Sequence, residues 1–157
     1  MKSLVIKNVN PNNENTGDCV LRSFTSYFED ELTYEEIRDK IFEIAKSRGN
    51  IDLHPYRYPK YFLIFAKEAN MVKINVIDNK EFSTGNRLID FCKKNRINAI
   101  GVSNNHAVYV DYKIGMVDTW DSRRKRIRFI LINRDDAIMM GAKQINFKDS
   151  LIDTFEF

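Results

Sequence analysis

Cysteine, histidine, proline and tryptophan are all scarce in this chain. Its 157 residues include two cysteines, two histidines, three prolines and one tryptophan. Cys19 and Cys92 cannot build the multi-bridge framework of small secreted domains, so a reducing compartment and a cytoplasmic location are expected. With only His54 and His106, and no Cys-x-x-Cys or His-x-x-x-His spacing, a zinc site would need carboxylates to complete it. No metal and no cofactor are expected. No apolar run approaches the roughly 20 residues needed to cross a bilayer, so no membrane partner is expected. The opening MKSLVIKNVN is too short and too polar for a secretion signal. Internal repeats and Pro- or Ser-rich linkers are missing as well. Residues 1–157 therefore read as a single domain, long enough for a sizeable core.

What is present is an ordinary globular composition, 43% hydrophobic and 30% charged. Disorder over the whole length is excluded on those figures. The formal net charge of +3 permits nucleic-acid binding without requiring it.

Apolar spacing sets out the elements. Residues 2–7 (KSLVIK) read as a short strand, and the Asn-, Pro- and Gly-rich stretch 10–17 as a loop. Val20, Leu21, Phe24, Tyr27 and Phe28 predict a helix from Cys19, with Asp18 as its N-cap. Thr33 and Glu36 form a capping box for the next helix, and Leu32 with Ile37 a hydrophobic staple. Arg48-Gly49-Asn50 ends that helix. Two further helices are expected near Lys60–Ala69 and Asn86–Asn95, with a strand at 72–77 between them. The pattern then turns to β: 97–103, 106–112, 115–120 and 126–132. Residues 145–155 fit a final strand or a helix. Helices first and antiparallel strands after give an α+β layout.

Chemistry concentrates on one ordered set. Cys19 opens a helix, where unsatisfied N–H groups and the dipole favour a thiolate; Asp18 beside it works weakly against this. His106 opens a strand far downstream, and Asp118 and Asp121 follow on the next one. His106 could take the thiol proton, with an acid orienting the imidazole. Asn13 and Asn15 are candidates for completing an oxyanion hole with the Cys19 N–H. Trp120 and Asn105 are candidate substrate-binding residues.

The segments TGDCVLRSFTSY and NNHAVYVDYKIGMVDTWDSR resemble the papain-like cysteine-peptidase superfamily. They are more closely similar to small papain-like proteins of phages and bacteria that carry a DCV-R helix and a later H-x-V-x-V…DTWD hairpin. The likeness covers roughly residues 10–130. It implies a papain-like fold in which N-terminal helices pack on a C-terminal antiparallel β-sheet. It implies Cys19 as nucleophile, His106 as base, and Asp118 ahead of Asp121 as third member. The family has a Gln six residues before its Cys, where this chain has Asn13. This chain also lacks a recognisable Gly-rich substrate-binding segment. The implied activity is a thiol hydrolase cleaving an amide or isopeptide bond of a protein or peptide, in the host cytoplasm if phage-encoded.

Plainer readings stand beside these. Cysteine is among the residues most often buried, and Cys92, on an apolar stripe, reads as core. His106 can simply pack on the sheet, His54 reads as a surface residue, and Asp118 or Asp121 can pair with Arg123 or Arg124. The run Arg123, Arg124, Lys125 and Arg126 reads as a solvated face or edge-strand guard. It is also a candidate anion or nucleic-acid contact. The second functional reading is therefore a catalytically inactive binding module, holding a host protein or, less favoured, a nucleic acid through its cleft or basic strand.

Overall fold

A computed structural model describes residues 3–14, 16–77 and 80–141. The elements run β1 Leu4–Ile6, α1 Cys19–Tyr27, α2 Tyr34–Ser47, α3 Pro59–Glu68, β2 Met71–Asn75, α4 Gly85–Asn95, β3 Ala99–Val102, β4 Ala107–Asp111, β5 Gly115–Asp118, β6 Phe129–Asn133 and α5 Arg134–Gly141. Residues 145–155 lie outside the described residues.

α2 begins as its sequence dictates. The Thr33 hydroxyl accepts from the Glu36 N–H at 3.1 Å, and the Glu36 carboxylate accepts from the Thr33 N–H at 3.1 Å. At the other end Gly49 takes φ 80°. Its N–H reaches Lys46 O and the Asn50 N–H reaches Ala45 O, so two orphan carbonyls are satisfied where only glycine turns left at little cost.

Six strands form one sheet in the order β1-β5-β4-β3-β6-β2. This corrects the expected C-terminal antiparallel sheet in two ways. β2, from the N-terminal half, forms one edge, antiparallel to β6. β1 forms the other edge and runs parallel to β5, so the sheet is mixed. That parallel contact needs Gly115, which sits at φ 95°; a Cβ there would lie 2.4 Å from the Ser3 carbonyl oxygen.

The helices also divide. β6 alternates: Phe129 and Leu131 enter the core with α1, α2 and α3, whereas Ile130 and Ile132 enter the core with α4. The sheet is thus covered on both faces, and α1 packs across β4 and β3. The expected strand at 126–132 is shorter than its sequence suggested. Pairing starts at Phe129, because residues 123–126 form a turn closed by an isolated bridge between Thr84 and Arg126.

Candidate active site

α1 starts at Cys19, at the end of the loop that follows β1. Asp18 occupies the N-cap position, but its carboxylate makes no cap hydrogen bond. It is fully buried instead. The guanidinium of Arg22, one turn along, pairs with it. Tyr34 Oη donates to it at 2.6 Å and Asn10 Nδ2 at 2.8 Å. This cluster ties the loop, α1 and α2 together directly behind the thiol. The Asp18 charge is matched locally, and the Arg22 charge helps to lower the Cys19 pKa.

The sheet supplies the other side. A tight turn joins β3 to β4, with the Ser103 N–H and hydroxyl donating to the His106 carbonyl at 2.8 and 3.2 Å. It delivers His106 to the end of β4. The β4–β5 ladder pairs Tyr109 with Val117 and Val110 with Met116. Continued by one step, that register makes Asp118 the diagonal neighbour of His106. The two side chains meet, His106 Nε2 to Asp118 Oδ2, at 2.7 Å. Cys19 lies against the same imidazole closely enough that each group shifts the other's titration, with Nδ1 the ring nitrogen not taken by Asp118.

Asp118 is fixed from three further directions. The Ser122 hydroxyl donates to Oδ2. The Thr119 N–H donates to Oδ1 at 2.7 Å. The backbone N–H of Lys7, just past β1, donates to the Asp118 carbonyl at 2.8 Å. The short parallel strand at the start of the chain therefore braces the acid.

The charges follow from this geometry. Burial raises the Cys19 thiol, yet hydrogen bonding to His106, the imidazolium charge, the Ala107 N–H and Arg22 together hold it below the ordinary thiol value. Burial opposes the imidazolium, yet the Asp118 and Cys19 hydrogen bonds and charges outweigh it, and His106 is raised to about 9. A thiol lowered beside an imidazole raised is the signature of a thiolate–imidazolium pair.

A groove of about 500 Å³ runs past Cys19 and His106, walled by Gly17, Arg57, Phe62 and Asn104. Arg57 donates to the Thr16 carbonyl and lies across Gly17, which takes φ 69°. The half-exposed ring of Trp120 stands against the His106 imidazole, centroids 5.0 Å apart. Asn105 lies on the groove wall, its Oδ1 accepting from Lys125 Nζ at 2.8 Å.

Other candidates fall elsewhere. Asp121 is turned away into an exposed pair with Arg123 at 2.8 Å, leaving Asp118 as the acid on His106. Asn13 is exposed in a turn at φ 54°, its N–H bonded to Asn10 O, and is not brought to the thiol. Asn15 lies outside the described residues. The N–H groups of the first turn of α1, beside the thiol, have no intrahelical acceptor and are candidate oxyanion donors. His54 is half-buried and bonds Tyr56 Oη through Nδ1 at 2.8 Å. Cys92 is fully buried within α4, as expected. The four basic residues have different surroundings: Arg123 pairs with Asp121, Lys125 reaches Asn105, Arg124 is exposed, and Arg126 is exposed at the rim of a neighbouring cavity. Among the described residues, no cluster of His, Cys, Asp or Glu could hold a metal ion, and no helix is long and apolar enough to cross a membrane.

Asn10, Arg22, Tyr34, Ser122 and Arg57 were missed in the sequence. Only Arg22 had a readable signal, its i,i+4 spacing from Asp18. No protein-family model, curated protein sequence or solved structure matches the chain.

Proposed function

We propose that the protein is a thiol hydrolase. More particularly, we read it as a papain-like cysteine peptidase that opens an amide or isopeptide bond. The observation carrying this is the meeting of Cys19 and His106 on the wall of one open groove, with Asp118 bonded to the far side of the imidazole at 2.7 Å. The order of the three along the chain, nucleophile on a helix and then His and Asp on adjacent strands, supports the papain-like assignment of the α+β fold.

In this mechanism the Cys19 thiolate attacks the carbonyl carbon and a C–S bond forms. The oxyanion gathers charge near the first-turn N–H groups of α1. His106 gives its proton from Nδ1 to the leaving nitrogen, and the C–N bond breaks. A thioester remains on Cys19. Water then attacks it, His106 takes the water's proton, and the C–S bond breaks to restore the thiolate. Asp118 orients the ring and balances its charge.

A simple acyl donor tests this. Incubation with p-nitrophenyl acetate should give a burst of p-nitrophenol and an acetyl adduct on Cys19 in the intact mass. Cys19→Ala should give neither. A wild-type protein that forms no such adduct would leave the inactive binding module as the better reading.

A further inference from the structure

The groove beside Cys19 does not end at Asn104. A second cavity, about 580 Å³, adjoins it and shares Pro59, Val102, Ser103 and Asn104 as a common wall. Its chemistry differs. Lys73, Arg126 and Arg128 all line it. Arg126 and Arg128 are exposed at its rim. Lys73 lies inside, 7% exposed on β2, its ammonium 4.7 Å from the Phe129 ring centroid.

A buried lysine in a strand of apolar neighbours is costly to keep. Burial and the neighbouring Arg128 charge push its pKa down to about 8. Keeping a cation there at that cost points to a use for its charge. Lys73 makes other contacts in the folded protein, so what the cavity offers a ligand is concentrated positive charge and not a spare hydrogen bond.

We propose that this cavity is a specificity subsite that takes an acidic side chain of the peptide substrate, a glutamate or aspartate, while the scissile carbonyl lies at Cys19. Calling the ligand a substrate rests on the hydrolase reading above; the binding of acidic peptide does not. Arg126 and Arg128 make the charge-assisted contacts at the rim, and Lys73 sets the field inside. An extended peptide suits the shape, because two joined cavities on one wall accept a chain crossing from one to the other.

The test is binding to Cys19→Ala protein, which removes turnover. Fluorescein-labelled oligoglutamate and oligoglutamine peptides of equal length are compared by anisotropy. The glutamate peptide should bind about tenfold more tightly or better. That preference should vanish in Arg126→Gln/Arg128→Gln, both at exposed positions, and weaken in Lys73→Met. Equal affinity for the two peptides, or a preference that survives Arg126→Gln/Arg128→Gln, would overturn the subsite. So would tighter binding of oligothymidylate than of oligoglutamate, which would assign the lobe to nucleic acid. The iodoacetamide reactivity of Cys19 in the wild type is read alongside. A slow rate there removes the hydrolase reading, while the peptide comparison still decides the cavity.

Discussion

Cys19 and Cys92 both sit on helices packed against the same sheet, yet their surroundings drive them in opposite directions. Cys92 lies inside α4, fully buried, and burial pushes its thiol far up. Cys19 is half-buried at the first position of α1, with an imidazole, a backbone N–H and a guanidinium around it, and its thiol is held down. Burial raises both. What separates them is the helix terminus and the partners brought to it. Reactivity in a cysteine is thus a property of position: a helix interior offers satisfied backbone and apolar neighbours, a helix start offers donors.

The sharpest way to break this contrast is Cys19→Ala, which should abolish acyl transfer and thiolate labelling while Cys92 remains silent in the native protein; intact-mass labelling checks both. Next in size is His106→Ala. It should lower the acylation rate by about 10²–10⁴-fold and return the Cys19 thiol toward its ordinary value. Asp118→Asn should follow, with a loss of about 10²-fold and a lowered His106 pKa, read from the alkaline limb of the pH–rate profile.

Arg22→Gln asks whether the support behind the thiol matters. It strips the buried Asp18 carboxylate of its cation, and should cost about 3 kcal/mol in urea denaturation. It should also raise the Cys19 pKa, since the Arg22 charge helps to lower it. The smallest effect belongs to Cys92→Ala, about 1–2 kcal/mol from the lost packing, with the labelling rate of Cys19 unchanged.

The pH dependence has a definite sign. His106 is raised to about 9, so its stabilising contribution is complete below the unfolded value of about 6.5 and disappears as pH rises through about 9. Cys19 is lowered, so its contribution is present above the ordinary thiol range and is lost as pH falls through its depressed value. The ion pair, and the activity that depends on it, occupy the window between those two titrations.

Much of this site is legible in the sequence. A cysteine after Gly-Asp at the start of an apolar stripe marks a helix terminus, and one histidine opening a β-run followed by an acid on the next strand marks a hairpin partner. The capping box of α2 and the core role of Cys92 are equally local patterns. What is not legible is what depends on distant chain. β1 has three residues, and its parallel pairing with β5 joins segments more than a hundred residues apart. No local periodicity encodes that pairing or the brace it gives Asp118. Asp18 shows the limit at short range. Its type and position match an N-cap, but Arg22, Tyr34 and Asn10 surround it, and a buried charged network outweighs a single cap bond. Asn13 has a suitable amide at a suitable spacing, but the turn at Asn10 carries it into solvent.

The most direct test of the central claim is the rate of Cys19 alkylation by iodoacetamide against pH, in Cys92→Ser protein with and without His106→Ala. The expected profile rises well below the ordinary thiol range of about 8.5, changes again near 9 as His106 loses its proton, and shifts upward when His106 is removed. A thiol that labels only when the protein unfolds, or one whose pH profile is indifferent to His106, would contradict the account.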